Sequence, residues 1–389
     1  MALFKRASKL DDHEYREAIR KGLNSAFADA EDLKNGGEVI VEAANLKAVV
    51  FSDLHRGAGD RADDFARCER AYAAALGWYL ERGYELWLLG DVEELWENGI
   101  DEVLPRYSEL LELEREFARG PGLRRFYGNH DLDWSKPQLV DRHLSGWLGG
   151  APVREALRLR VREDGSDLGL LFLAHGHQGT ATSDRFAGLS RFAVRNVWRA
   201  IQRSQGLLAT TPADDSQLRH RHDVAMHSWA KERVVGGSPA NRPVLIAGHT
   251  HHPVFPGSRP TRPTAEDAAE LRQRLAEATG AAARSELRAK LEHVEAILRE
   301  PPFEPPDDTP PCYFNSGCCS FPDRDVTCIE ISGEQLVDEA FADERRADKE
   351  DGRGKIRLMR WLDDGGEPRP KQLAADSLRS VFDKVRTAV

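Results

Sequence analysis

Apolar positions along this chain follow two rhythms, and the places where one gives way to the other outline its elements. Tyr15, Ile19, Leu23 and Phe27 recur every fourth residue ahead of an Asn35-Gly36-Gly37 break, which predicts a leader helix packed on the core within residues 1–47. From Ala48 onward short apolar runs take over. Ala48-Val49-Val50-Phe51, Leu86-Trp87-Leu88-Leu89 and Arg125-Phe126-Tyr127 read as buried strands. Between them lie helical stripes, first Phe65, Cys68, Tyr72, Leu76 and Tyr79, then a second helix near residues 103–118. Strands joined by crossover helices run parallel with both faces covered, so the pattern points to an α/β fold.

Farther on, residues 157–161 and 168–174 are strand-like and joined by the polar turn Asp164-Gly165-Ser166, a hairpin signal. Residues 179–237 form an Arg-rich helical interval carrying Phe186, Phe192, Val197, Trp198, Ile201, Met226 and Trp229, too long for a plain loop. A second insertion, 257–302, has Leu271, Leu275, Leu287, Leu291, Val294 and Leu298 at helical spacing, broken by Gly280, which predicts a helical hairpin. The Pro-rich stretch 301–311 reads as an extended connector, and residues 313–320 and 326–331 as the last strands. The expected organisation is a leader over 1–47, a core domain over 48–339 with the two insertions, and a charged, partly helical tail over 340–389.

Composition adds bounds. At 389 residues, 40% hydrophobic and 31% charged, the chain can bury a large core, and its mean hydropathy of -0.55 indicates ample polar surface besides. Its 55 basic and 65 acidic residues give a net charge of -10, the wrong sign for coating nucleic acid through phosphate contacts. No apolar run approaches the roughly 20 residues that span a bilayer. Lys5, Arg6 and Lys9 followed by acidic residues make no signal core, so a cytoplasmic location is expected. Cys68, Cys312, Cys318, Cys319 and Cys328 are odd in number and lack a CxxC pair, which favours small buried hydrophobes over a disulfide framework.

The candidate chemistry sits where the apolar runs end. VVFSDLH from Val49 to His55, LWLLGD from Leu86 to Asp91, FYGNHD from Phe126 to Asp131, LFLAHGH from Leu171 to His177 and VLIAGHTHH from Val244 to His252 each close on Asp, Asn or His. Mixed carboxylate and imidazole donors suit manganese, iron or zinc, whereas an all-oxygen set would suit magnesium or calcium. Asp53 and His55, and likewise His249 and His251, are two residues apart, a spacing that puts both side chains on one face of an extended strand. Two cations about 3.5–4 Å apart need a bridging carboxylate, and Asp91, alone after Gly90, is the natural one. Gly90, Gly128 and Gly248 precede the ligands, as sharp turns with no room for a side chain require.

The ordered blocks D-x-H, G-D, G-N-H-D, H and G-H-x-H resemble the calcineurin-like metallophosphoesterases over roughly residues 48–255, and Phe314-Asn315-Ser316-Gly317 is similar to that family's later asparagine-glycine strand. The resemblance implies a four-layer αββα sandwich and two divalent metal ions, manganese first, with iron or zinc as alternatives. It implies Asp53, His55 and His251 on the first ion, Asn129, His175 and His249 on the second, and Asp91 bridging. His130 would be an outer-sphere acid that protonates the leaving oxygen, oriented by Asp131, a role that suits an imidazole titrating near neutrality. The implied reaction is hydrolysis of a phosphoester or pyrophosphate bond by metal-bound hydroxide. The competing readings are a phosphoprotein or nucleotide phosphatase, a nuclease, and a metal-binding scaffold without catalysis.

The runs Ser52-Asp53-Leu54-His55 and Gly90-Asp91-Val92-Glu93-Glu94-Leu95-Trp96 are similar to the UDP-2,3-diacylglucosamine pyrophosphohydrolase branch, although Arg56 stands where Leu is common there. Both insertions leave the core after ligand motifs, which predicts a helical cap over the site and a small phosphorylated, pyrophosphate-containing or lipid-linked substrate. Arg56 and His177 are candidate substrate contacts, with Arg185, Arg191 and Arg195 as further phosphate clamps. Phe186, Phe192, Trp198 and Trp229 read as pocket lining or insertion core. His252 reads as packing behind the ligands. His13, His143, His220, His222, His227 and His293 read as ordinary histidines, with a second reading in which His220-Arg221-His222 faces the site.

Overall fold

A computed structural model describes residues 11–32, 36–60, 62–180, 216–257, 265–299, 303–321, 323–333 and 354–388. In chain order its elements are α1 (Asp12–Asp29), β1 (Val39–Glu42), β2 (Lys47–Phe51), α2 (Glu69–Glu81), β3 (Glu85–Leu89), α3 (Ile100–Arg106), α4 (Ser108–Arg119), β4 (Leu123–Phe126), α5 (Pro137–His143), α6 (Ser145–Leu148), β5 (Val153–Arg154), β6 (Ala156–Glu163) and β7 (Ser166–Ala174). They continue with α7 (Ser216–Gly236), β8 (Pro243–Ala247), β9 (Pro253–Val254), α8 (Ala265–Glu277), α9 (Ala281–Arg299), β10 (Tyr313–Ser316), β11 (Val326–Ser332), β12 (Lys355–Leu362), β13 (Arg369–Ser377) and α10 (Leu378–Thr387).

The fold is α/β with two mixed sheets, one ordered β1-β6-β7-β8-β10-β9 and the other β13-β12-β11-β2-β3-β4-β5. As the crossover pattern predicts, β2, β3, β4 and β5 are parallel neighbours, and β7, β8 and β10 form a parallel trio in the other sheet. Pleating explains how the central strands serve two cores. Val49, Phe51, Leu86 and Leu88 join a cluster with Tyr72, Leu76 and Tyr79 of α2. The alternate residues Ala48, Val50, Trp87 and Leu89 join a second cluster with Leu171, Leu173, Ile246 and Phe314 of the other sheet. That second cluster also takes in Ile19 and Leu23 of α1, Met226 and Trp229 of α7, and Val381 and Phe382 of α10.

Local signals in the sequence explain the element ends. The Asp11 carboxylate accepts a hydrogen bond from the Glu14 N–H at 2.8 Å and caps α1, whose stripe Tyr15, Ile19, Leu23 and Phe27 is buried. Asp164 and Gly165, at φ of 51° and 77°, form the two-residue turn between β6 and β7 with the positive φ pair that a type I′ hairpin needs. The helical hairpin predicted for the second insertion is α8 and α9, with Gly280 in the turn between them. All five cysteines are buried and free of disulfides. No helix among the described residues is long and apolar enough to cross a membrane.

Two expectations are corrected. The leader contributes an edge strand as well as a helix, because β1 pairs in parallel with β6. The tail is in large part sheet: β12 pairs with β11, β13 pairs with β12, and α10 buries Leu378, Val381, Phe382 and Val385. Its charges mislead because they are used inside the sheet edge. Arg357 pairs with Glu330, and Arg360 Nε donates to Asp325 at 2.7 Å. The shift in register between Leu358 and Met359 also breaks the alternation that would reveal a strand. The remainder of the expected tail, 340–353, and most of the first insertion, 181–215, lie outside the described residues. So do Arg185, Phe186, Arg191, Phe192, Arg195 and Trp198. Trp229 is core, packed against Phe27 and Phe172 at ring-centroid distances of 5.8 and 5.4 Å.

Candidate metal centre

The five turns that carry the candidate ligands meet at one edge shared by the two sheets. The turns after β2, β3 and β4 bring Asp53 and His55, Asp91, and Asn129; those after β7 and β8 bring His175, and His249 with His251. Backbone bonds tie them together. Asp53 N–H donates to Gly90 O at 3.1 Å, His55 N–H to Asp91 O at 2.9 Å and Gly248 N–H to His175 O at 2.9 Å. The Asp53 carboxylate links the sheets by accepting from the His249 N–H at 2.9 and 3.1 Å.

The pairs two residues apart converge by a different route from the one their spacing suggests. Asp53 and His55 lie beyond the end of β2, and His249 and His251 beyond β8, all on left-handed backbone with φ of 53°, 51°, 72° and 59°. Asp91 is left-handed too, at 50°. Among the described residues seven non-glycine positions have positive φ, and these five expected ligands are among them. Such conformations cost of order 1–3 kcal/mol each and persist where function requires them, so the strain is concentrated on this site. The preceding glycines make room for it. A Cβ on Gly90 would lie 2.7 Å from the His175 ring, and one on Gly128 would collide with the Asp91 carboxylate.

Three groups of donor atoms are spaced to hold a metal ion: Asp53 with His55 and His251, His55 with Asp91 and His130, and Asp91 with His175 and His249. Asp91 belongs to two of them. Its Oδ1 accepts from the His130 N–H at 2.8 Å, which leaves Oδ2 facing His175 Nε2 at 3.0 Å. The hydrogen bonds around the imidazoles decide whether a cation fits. His175 Nδ1 is 2.8 Å from Leu89 O, which can only accept, so Nδ1 carries a proton and Nε2 is the nitrogen left to hold a second proton or a metal ion. That Nε2 is buried without a hydrogen-bond partner beside a carboxylate oxygen. His55 is arranged the same way: Nδ1 donates to Glu94 at 3.1 Å, and Nε2 faces His251 Nε2 at 3.1 Å. Asn129 Oδ1 is likewise buried and unpartnered. Lone pairs from two imidazoles, an amide and two carboxylates turned on one another repel unless a positive charge lies among them, so these residues fit a metal ion. Burial alone would lower His175, but Asp91 and Asp53 carry it up to about 9, which means the site attracts positive charge at this nitrogen.

His130 lies 7% exposed at the rim, stacked on Trp96 with ring centroids 4.2 Å apart and planes at 15°. Its Nδ1 donates to Glu94 Oε2 at 2.6 Å, so the partner that orients it is Glu94. Asp131, expected in that role, instead accepts from the backbone N–H groups of Gly128 at 2.6 Å and Val92 at 2.9 Å, fastening the turn after β4 to the turn after β3. Burial, with Asp91 and Glu93 nearby, pushes Asp131 up to about 7. Glu94 goes the other way. Burial opposes its charge, yet His130 and His55 bring it down to about 2. Its place three residues after Asp91 and two before Trp96 was the available signal.

Both candidate substrate contacts are buried, Arg56 among carboxylates and His177 beside His175. Arg56 is 1% exposed and its guanidinium is committed to Glu114, with Glu93 at 4.0 Å, so it braces the fold beneath the site. His177 is 2% exposed beside Tyr127 and His175, outside the three donor groups, and burial followed by His175 pushes it down to about 3. His222, read first as ordinary, lies at the site: its ring packs on His249 with centroids 4.7 Å apart. His252 is buried. No protein-family model matches this chain, and no curated protein matches it.

Proposed function

We propose that this protein is a dinuclear metal-dependent phosphoesterase acting on a small or lipid-linked phosphoester or pyrophosphate. The observation that carries the reading is a chain of linked donor groups: Asp53-His55-His251 shares His55 with His55-Asp91-His130, which shares Asp91 with Asp91-His175-His249, and the buried His175 Nε2 and Asn129 Oδ1 lack hydrogen-bond partners. Asp53, His55 and His251 would hold one ion, Asn129, His175 and His249 the other, and Asp91 would be shared. Manganese suits this donor set, with iron or zinc as alternatives. Bound there, two such ions supply a nucleophile at neutral pH and neutralise charge on the phosphoryl oxygens. The division of β2 and β3 between two cores supports a four-layer sandwich as the scaffold.

The chain's own residues supply the rest. His130, fixed through Nδ1 by Glu94 and flanked by Trp96, keeps Nε2 as the nitrogen that gives a proton to the departing oxygen. Access is narrow. His55, His130 and Asn129 are 6%, 7% and 4% exposed, which favours a slender phosphoryl group over a folded phosphoprotein or duplex, in line with the net charge of -10.

The test is a screen of manganese-loaded protein against chromogenic monoesters, diesters and pyrophosphates, run beside His130→Asn. Wild type should hydrolyse at least one class. The variant should keep its metal and lose about 10²–10⁴-fold in kcat, the usual worth of general acid–base assistance, with larger losses for poorer leaving groups. A metal-loaded wild type inert towards every class would instead favour a scaffold, and a variant that loses metal would make His130 a ligand.

A further inference from the structure

We infer that His222 and Asp223, neighbours on α7 at the end of the first insertion, are positioning residues that set the two ligand turns of the six-stranded sheet. The inference rests on the metal centre proposed above. His222 is 2% exposed and its Nε2 is 2.6 Å from Gly176 O, the carbonyl between His175 and His177. A carbonyl only accepts, so Nε2 carries the proton and Nδ1 accepts from the Tyr15 hydroxyl of α1 at 2.7 Å. The adjacent side chain takes the other turn. Asp223 is fully buried, and its Oδ1 accepts from Thr250 Oγ1 at 2.9 Å and from the Tyr313 hydroxyl at 2.6 Å. Thr250 stands between His249 and His251, both on left-handed backbone, and Asn315 Nδ2 holds the same turn through Gly248 O at 2.7 Å and Thr250 Oγ1 at 3.1 Å.

One turn of α7 therefore grips the Gly176 carbonyl beside His175 with one residue and the Thr250 hydroxyl between His249 and His251 with the next. His249 and His251 are on left-handed backbone that non-glycine residues rarely adopt, so a restraint from outside the turn helps keep their imidazoles aimed inward, whereas Gly176, at φ of 114°, takes a conformation open to glycine. α7, the described end of the first insertion, thus supports the proposed metal site, and α1 takes part through Tyr15.

The experiment titrates manganese(II) alone into metal-free full-length protein and fits the ions separately. Wild type should take two. In His222→Ala the ion held by Asn129, His175 and His249 should bind about 10–100-fold more weakly and the other as in wild type, the loss expected when a partner behind a ligand is removed. Asp223→Ala should weaken both ions, because Thr250 sits between a ligand of each. His222→Gln and Asp223→Asn keep the donor and acceptor atoms and should recover most of the affinity. Tyr15→Phe removes one hydroxyl without enlarging the core and should weaken the same single ion severalfold, which keeps the inference testable if either alanine variant fails to fold. Wild-type affinity for both ions in the folded variants would overturn it. A wild type that takes no manganese, zinc or cobalt would instead overturn the metal centre itself.

Discussion

Asp91→Asn should lose both activity and metal. Asp91 is the one carboxylate common to two donor groups, with Oδ1 anchored by the His130 N–H and Oδ2 turned to His175. An asparagine has the same size but no net charge, and its amide would direct either N–H donors or a weak acceptor at both neighbours. Lewis-acid stabilisation is worth several kcal/mol and each ~1.4 kcal/mol is a factor of ten, so kcat/KM should fall by about 10³ or more. Metal content measured on the same sample should fall by at least one ion per chain. Full occupancy with unchanged turnover would remove Asp91 from the centre and with it the shared-ligand arrangement.

The second large effect is on stability, and it concerns the braces under the site. Arg56 and Glu114 are 1% and 2% exposed and pair with each other; Tyr72 also donates to Glu114 at 2.9 Å. Alongside, Arg125 pairs with Glu93, which accepts from Trp134 Nε1 at 2.8 Å. Arg56 follows the proposed ligand His55 and Glu93 lies two residues after Asp91, and the two residues also form a parallel bridge through their backbones. Burial would lower the Arg56 guanidinium, but Glu114 and Glu93 keep it firmly charged. Glu114→Gln leaves that charge with only Glu93, 4.0 Å away and already paired with Arg125, and breaking a buried pair in this way typically costs about 3–5 kcal/mol. Denaturant unfolding of metal-free protein should show a loss of that size, whereas the double replacement Arg56→Met with Glu114→Leu should lie much nearer wild type, because a well-packed apolar pair needs no desolvation. A Glu114→Gln variant as stable as wild type would mean that the pair contributes nothing to holding the turns.

Much of this was legible in the sequence because its signals are local. The strands that deliver Asp53, Asp91, His175 and His249 are apolar runs ending in polar residues, and each run became a buried strand, whereas the strand that leads to Asn129 is Leu123-Arg124-Arg125-Phe126, with Arg125 buried. What stayed hidden depends on partners distant in sequence. Glu94 could be quoted within a motif, but its shared contact with His55 and His130 appears only once the turns after β2, β3 and β4 lie side by side. Arg56 looked like a phosphate clamp because nothing near it in sequence neutralises it; Glu114 is 58 residues away. His222 sits in a helix whose polar and apolar residues show no clear face, and its partners Tyr15 and Gly176 belong to two other elements. The C-terminal strands were masked by arginines that find carboxylates across the sheet.

The account stands or falls on two ions sharing Asp91. Anomalous diffraction at the manganese edge from crystals grown with manganese measures this directly. Two peaks are predicted, about 3.5–4 Å apart as in other two-metal sites. One should lie among Asp53, His55 and His251, the other among Asn129, His175 and His249, with Asp91 between them. A single peak, two peaks with no common ligand, or a manganese-soaked crystal with no peak at these residues would contradict it.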